Sequence, residues 1–138
     1  MKYTLQSISF VRYIENTEWS VAFHPTFRAE FDRFDELVQD ELLAMVELLK
    51  VAGPQMKRPG TDTLKGSKHA NMKELRFDAS GGVWRVAYAF DPTRKAVLLV
   101  AGDKSGVSQK RFYKVLIQMA DERFDEHLAA LRPTRRTR

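Results

Sequence analysis

The sequence predicts a single α+β domain in which a small antiparallel sheet packs against helices drawn from both ends of the chain. Apolar residues recur at helical spacing over residues 25–52 and again over residues 109–131. Between these stretches, three segments of strand length within residues 71–102 are separated only by short turns. Short connections join neighbouring antiparallel strands, so the three segments form a meander. A chain of 138 residues suits one such domain with one core.

The first elements are a short strand followed by helix. Trp19–Phe23 alternates with a period of two, and Pro25 is well suited to open a helix. The apolar stripe of residues 25–52 leaves two solutions open, one bent helix or two helices. Residues 53–64 contain two Gly and two Pro, which predicts a loop.

The three later strands are predicted at Asn71–Asp78, Val83–Phe90 and Lys95–Gly102, with turns at Ser80–Gly82 and after Asp91. The middle strand has the clearest alternation in the chain. Its core-facing residues are Trp84, Val86, Tyr88 and Phe90. Arg85 therefore points to the opposite face of the strand, together with the small residues Ala87 and Ala89.

The last predicted helix is Gln109–Leu131, whose stripe of Met and Phe is typical of core packing. The domain is then expected to span residues 18–131. Residues 1–17 form an N-terminal extension of mixed polarity, and residues 132–138 form a basic, disordered tail.

Composition and missing motifs narrow the possible functions. The chain has no cysteine, no run of 18 apolar residues and no signal-peptide pattern, so we expect a soluble cytoplasmic protein. The zinc-protease, serine-hydrolase and P-loop motifs are all absent from the sequence. We therefore expect an activity that uses neither a metal nor another cofactor.

Charge is distributed unevenly along the chain. Residues 1–53 carry five Lys/Arg against nine Asp/Glu, whereas residues 54–114 carry thirteen against five. A concentration of positive charge in one part of a domain favours an anionic partner, of which nucleic acid is the most common. The alternative is an ordinary solvated Lys/Arg surface.

Several of these cations are expected to converge on one face of the sheet. Arg85 beside small alanines would leave a groove with a forked donor at its floor, and Arg76 ends the preceding strand. The other side chains expected to approach this region are Lys65, Lys68, His69, Lys73 and Lys104. Such a cluster can stabilise the charge of a reacting phosphate without a metal. In the alternative interpretation, Arg85 forms a cross-strand ion pair with Glu74 or Asp78, and His69 is simply a surface residue.

The same residues carry a family resemblance that covers about residues 18–131. The matching segments are Trp19-Ser-Val, Arg58-Pro, Asp62–Ser67, Asn71–Arg76, Trp84–Asp91, Leu98–Lys104 and Phe112-Tyr. With these segments, the chain resembles the RelE/HigB-like toxins of bacterial type II toxin–antitoxin systems, in the branch related to a phage protein family.

The resemblance implies a RelE-like fold and a ribosome-dependent endoribonuclease that cuts mRNA without a metal. By the same resemblance, the catalytic residues would be Arg85, Arg76, Lys65, Lys68 and His69. The RNA-binding residues would be Lys73, Lys104, Lys110, Arg111, Tyr113 and Arg58. The implied partners are mRNA, the ribosome and a cognate helix-turn-helix antitoxin bound in a hetero-oligomer.

Two other functions are consistent with the sequence. A ParE-like relative would share the fold but act without catalysis, by binding DNA gyrase. A simple nucleic-acid-binding module would use the same cations for binding alone. Fold by itself does not separate these possibilities.

Overall fold

A computed structural model of the chain describes residues 18–133. The predicted extension at residues 1–17 lies outside the described residues, as does the end of the predicted tail at residues 134–138. Among residues 18–133, none of the helices combines the length and the hydrophobicity that a membrane-spanning helix requires.

The chain folds into a five-stranded sheet with the order β1-β5-β4-β3-β2. The strands are β1 Ser20–Phe23, β2 Thr61–Thr63, β3 Lys73–Ala79, β4 Gly82–Phe90 and β5 Lys95–Asp103. Strands β3, β4 and β5 form the predicted antiparallel meander. The short strand β1 runs parallel to β5 at one edge of the sheet, and β2 runs antiparallel to β3 at the other edge.

The prediction that residues 53–64 form only a loop was wrong. They contain a 3-10 turn at Gly53–Gln55 and the edge strand β2. The hydroxyl of Thr61 bonds to the backbone oxygen of Glu74 at 2.9 Å, and also to the hydroxyl of Tyr88 at 2.7 Å. Strand β2 is therefore fastened to the sheet by a buried side chain, which the Gly and Pro content of the segment did not reveal.

The N-terminal helical stretch consists of two helices, α1 Pro25–Phe31 and α2 Glu36–Ala52. Asp35 separates them because its carboxylate accepts a hydrogen bond from the backbone N–H of Leu37 and so caps α2. The last helix, α3 Gln109–Leu131, has the predicted bounds and is capped by Ser108. The predicted fold class, a small α+β sheet with two N-terminal helices and one C-terminal helix, is confirmed.

The sheet is covered on both faces. Helices α1 and α2 pack on one face, and the core there includes Val86 and Tyr88, with Trp84 and Phe90 packed against it, as the alternation predicts. Helix α3 packs on the other face, where it buries Ala87 and Ala89 of β4. The open groove expected beside these alanines is thus absent, because Leu116, Ala120 and Phe124 of α3 fill that space.

Candidate functional site

The side chains of highest chemical interest surround an open cavity of about 690 Å³, which we call the basic cavity. It lies where β2 and β3 meet the start of α3. Five cations, two carboxylates and one phenol contribute to its lining. The lining residues are Arg58, Asp62, Thr63, Leu64, Lys65, Glu74, Arg76, Lys104, Gln109, Lys110 and Tyr113.

The local structure explains why these residues converge. Leu75 and Phe77 of β3 belong to the core under α1 and α2, so the alternating residues Glu74 and Arg76 are on the α3 face. On α3, Lys110 and Tyr113 are three residues apart and therefore lie on the same side of its first turns. A strand and a helix terminus thus supply opposite walls of the basic cavity.

Glu74 is the central group of the cavity. Only 4% of this residue is exposed. The hydroxyl of Tyr113 donates a hydrogen bond to Oε1 of Glu74 at 2.8 Å. Guanidinium nitrogens of Arg76 and Arg85 each lie 3.8 Å from a carboxylate oxygen of Glu74. The carboxylate therefore has one close hydrogen-bond donor and two neighbouring positive charges.

Burial sets the protonation behaviour of this cluster. It raises the pKa of Glu74, although the hydrogen bond from Tyr113 and the charges of Arg85 and Arg76 oppose the rise. The pKa of Tyr113 is also raised, by its burial and by the nearby carboxylate of Glu74. The phenol consequently remains a hydrogen-bond donor at neutral pH.

Arg85 lies behind Glu74 and does not line the basic cavity. It is 6% exposed, and its NH1 donates to the backbone oxygen of Trp84 at 2.9 Å. Its Nε is buried and has no hydrogen-bond partner among the described residues. The cross-strand pairing with Glu74 that we considered as an alternative is thus present, at 3.8 Å.

Asp62 and Tyr113 also hold cations of the cavity in place. Asp62 accepts a hydrogen bond from Arg58 at 2.8 Å and lies 3.4 Å from NH1 of Arg76. Hydrogen bonding from Arg58 lowers the pKa of Asp62, so this carboxylate is ionised at neutral pH. Nζ of Lys104 lies 5.9 Å from the centroid of the Tyr113 ring, a cation–π distance.

The structure brings together six of the residues that the sequence nominated. These are Arg58, Lys65, Arg76, Lys104, Lys110 and Tyr113, all of which line the basic cavity.

Lys68 and His69 belong to a different cluster, on the second half of α3. Nε2 of His69 lies 2.8 Å from Asp125, and Nζ of Lys68 contacts the same carboxylate. Ser67 donates a hydrogen bond to Asp121 one turn earlier. These contacts tie the loop that follows β2 to α3.

Lys73 and Arg111 are also placed away from the basic cavity. Lys73 shares the alternation of Leu75 and therefore lies on the opposite face of the sheet from Glu74 and Arg76. Arg111 lines a separate, apolar cavity of about 260 Å³ between β5 and α3.

Sequence reasoning missed the two acidic residues of the cavity, Glu74 and Asp62. The sequence pointed to Glu74 only as an ion-pair partner for Arg85. One signal was available: Glu74 and Arg76 occupy alternate positions of a predicted strand and must share a face.

Comparisons with known proteins agree with this architecture. The family described as "Phage derived protein Gp49-like (DUF891)" matches residues 29–125. A candidate toxin of Mycobacterium tuberculosis, HigB2, is 41% identical over 102 residues, which are 73% of this chain and 50% of HigB2. A second candidate toxin of that organism, HigB3, is 44% identical over 85 residues, which are 62% of this chain and 72% of HigB3. The chain thus spans about half the length of HigB2.

The fold is also similar to that of a solved structure, a double mutant of the Escherichia coli toxin RelE in the free state. The TM-score is 0.51 at 12% sequence identity, and the match covers 84% of this chain and 100% of the RelE chain. At this identity the likeness concerns the fold alone. The family match and the close relatives together show that this chain belongs to the phage-derived Gp49-like family and is a HigB-like toxin-family protein.

Proposed function

We propose that this protein is the toxin of a type II toxin–antitoxin system and a metal-independent, ribosome-dependent mRNA endoribonuclease. The observation that carries the proposal is the convergence of five cations and Tyr113 on one cavity around a buried carboxylate. A phosphodiester in such a cavity is surrounded by charge-assisted donors, which stabilise the additional negative charge of the transition state.

The proposed reaction is attack of an RNA 2′-hydroxyl on the adjacent phosphorus. Arg76 is the best placed phosphate ligand, because it combines partial exposure with a rigid strand position next to Glu74. Lys65 and Lys110 also line the basic cavity and would bind the flanking phosphates. The exposed part of the Tyr113 ring would offer a stacking surface to a base.

The other nominated residues support the site from outside the cavity. Arg85 would keep Glu74 in place from behind, through the 3.8 Å contact. Lys68 and His69 would hold the loop that carries Lys65, through their shared contact with Asp125. Lys73 and Arg111 do not line the basic cavity, and we assign them no part in cleavage.

The proposed partners follow from the activity. An mRNA bound to the ribosome is the substrate, which places the protein in the cytoplasm. A cognate antitoxin with a helix-turn-helix domain would form a hetero-oligomer with the toxin and prevent cleavage. Its contact surface would have to cover the basic cavity or prevent entry into the ribosome.

The test is induced expression in a bacterial host, with primer extension on a well-translated mRNA. Wild type is compared with Arg76→Ala and with Arg33→Ala, which removes an exposed arginine between α1 and α2, away from the cavity. We expect growth arrest and new in-frame cuts with wild type and Arg33→Ala, and neither with Arg76→Ala.

Other outcomes identify the alternatives. Arrest with induction of the DNA-damage response and no mRNA cuts would support the gyrase-binding function instead. RNA binding without arrest or cuts would support a simple binding module.

A further inference from the structure

The carboxylate of Glu74 lies in a position from which it could accept a proton inside the basic cavity. Glu74 and Asp62 are the carboxylates that line the cavity, and the Asp62 side chain is 34% exposed and already paired with Arg58. The Glu74 side chain is 5% exposed and belongs to a regular strand. Strand positions hold a functional group more rigidly than loops do, which suits a group that must meet a reacting atom.

The two oxygens of Glu74 have different surroundings. Oε1 accepts the hydrogen bond from Tyr113. Oε2 lies 3.8 Å from Arg76, which is beyond hydrogen-bond distance, and it accepts no hydrogen bond from the described residues. A carboxylate oxygen with free lone pairs next to a phosphate-binding arginine is within reach of a ribose hydroxyl beside that phosphate.

The alternatives for the same role are weaker. His69 and Lys68 are paired with Asp125 outside the cavity. A lysine of the cavity must first lose its own proton before it can accept one, and its ordinary pKa lies well above neutral pH, whereas that of a carboxyl group lies below it. Burial raises the pKa of Glu74, which brings the group nearer to the pH at which a general base is most effective.

We propose that Glu74 is the general base of this toxin and takes the proton of the attacking RNA 2′-hydroxyl. The inference rests on the proposed endoribonuclease function. The 2′-oxygen forms a bond to phosphorus as its proton passes to Oε2 of Glu74. The bond from phosphorus to the 5′-oxygen breaks, and that oxygen takes a proton from the ammonium of Lys104, which also lines the cavity. The products are a 2′,3′-cyclic phosphate and a 5′-hydroxyl, and water returns both side chains to their starting states.

This assignment gives Tyr113 and Arg85 definite positioning roles. The Tyr113 hydroxyl occupies Oε1 and leaves Oε2 as the reactive oxygen. The buried guanidinium of Arg85 fixes the carboxylate from the side away from the cavity. Arg76 then holds the phosphate beside the base, since it lies close to Glu74 and also lines the cavity.

The experiment measures single-turnover cleavage of a short mRNA on purified ribosomes, by wild type, Glu74→Gln and Asp78→Asn. Gln keeps the size of Glu and an oxygen that accepts from Tyr113, but it cannot hold the transferred proton. Asp78→Asn is the matched control, because Asp78 is an exposed carboxylate of the same strand. The pH dependence of the rate and the affinity for ribosomes are recorded for each protein.

We expect Glu74→Gln to cut at least about 100-fold more slowly, with ribosome affinity within about twofold of wild type. The wild-type and Asp78→Asn rates should fall on the acid side as Glu74 becomes protonated, and this acid limb should be lost in Glu74→Gln.

Three results would overturn the assignment. If wild type cuts and Glu74→Gln cuts within about threefold of it, Glu74 is not the base although the proposed function stands. If circular dichroism shows that Glu74→Gln does not fold, the pH dependence of the wild-type cleavage rate is the test. A wild-type rate that does not fall at acid pH excludes Glu74 as the base. If wild type does not cut at all, the proposed function fails and the assignment fails with it.

Discussion

The hydroxyl of Tyr113 donates a 2.8 Å hydrogen bond to the buried carboxylate of Glu74, across 39 positions of sequence. This contact joins the first turns of α3 to the strand β3 at the inner end of the basic cavity. The geometry of the cavity therefore depends on how α3 lies on the sheet. A substitution that weakens the packing of α3 on the sheet should therefore lower both the stability and the activity of the protein.

Removal of the hydroxyl in Tyr113→Phe should destabilise the protein by about 1–2 kcal/mol. The substitution leaves a buried carboxylate without its closest donor, and the cost of that loss exceeds the net value of an average hydrogen bond. Urea unfolding at pH 7 measures the effect. A change below about 0.5 kcal/mol would mean that water replaces the phenol without cost.

Arg123→Lys should destabilise the domain by about 1–3 kcal/mol. Arg123 donates to both carboxylate oxygens of Glu30 on α1, at 2.8 and 2.7 Å, and to the backbone oxygen of Leu99 at 2.8 Å. Lysine cannot reproduce this forked geometry.

Urea unfolding again gives the measurement, and Arg33→Lys serves as the control. Arg33 is exposed, so its substitution should change stability by less than about 0.5 kcal/mol. Equal effects of the two substitutions would contradict a special role for Arg123 in joining α1 to α3.

Asp91→Asn should lower the free energy of unfolding at neutral pH and make this free energy depend less on pH in the acid range. Asp91 accepts hydrogen bonds from the N–H and hydroxyl of Thr93 and from the N–H of Lys95, and it lies 2.7 Å from His127 of α3. Burial acts to raise the pKa of Asp91, but these hydrogen bonds outweigh it and hold the pKa below its ordinary value of 3.8.

The sign of the pH effect follows from that lowered pKa. The folded state holds the Asp91 proton less tightly than the unfolded state does. The stabilisation is therefore complete above about pH 3.8 and is lost as the pH falls through the lower value of the folded state. We expect Asp91→Asn to lose about 1–3 kcal/mol at pH 7 and less at pH 3. A loss of equal size at both values would contradict this account.

Lys110→Ala should weaken binding to a single-stranded RNA and also reduce its dependence on salt. Each cation that neutralises a phosphate of single-stranded RNA contributes about 0.7 to the slope of log affinity against log salt. Lys110 lines the basic cavity, whereas the control, Lys50→Ala, alters α2 on the other face of the sheet. Fluorescence anisotropy across a salt series gives both slopes. Equal slopes for the two variants would remove Lys110 from the RNA contacts.

The sequence predicted the fold class well because the elements of the meander carry local signals. Alternation in Val83–Phe90 identified β4 and the face of it that joins the core under α1 and α2. It did not show that α3 also buries the other face at Ala87 and Ala89. Alanine is small enough for either a groove or a helix contact, so its pattern does not distinguish them.

The candidate site was predicted in part. Of the side chains expected to converge on one face, Lys65, Arg76 and Lys104 line the basic cavity, and their roles stay predictions. The contacts of His69 and Lys68 with Asp125 were not predictable. They span more than 50 positions of sequence and depend on how α3 crosses the sheet. The central role of Glu74 likewise depends on Tyr113, which only the tertiary structure brings to it.

The most direct measurement of the central claim uses purified protein, ribosomes and two short mRNAs that differ in one atom. One mRNA is unmodified, and the other has a 2′-deoxy nucleotide at the mapped cut. The account predicts that wild type cuts the unmodified mRNA and that the product ends in a 2′,3′-cyclic phosphate. It also predicts that the 2′-deoxy mRNA is bound but not cut. Cleavage of the 2′-deoxy mRNA at the same site would contradict the proposed chemistry, and no cleavage of either mRNA would contradict the nuclease function itself.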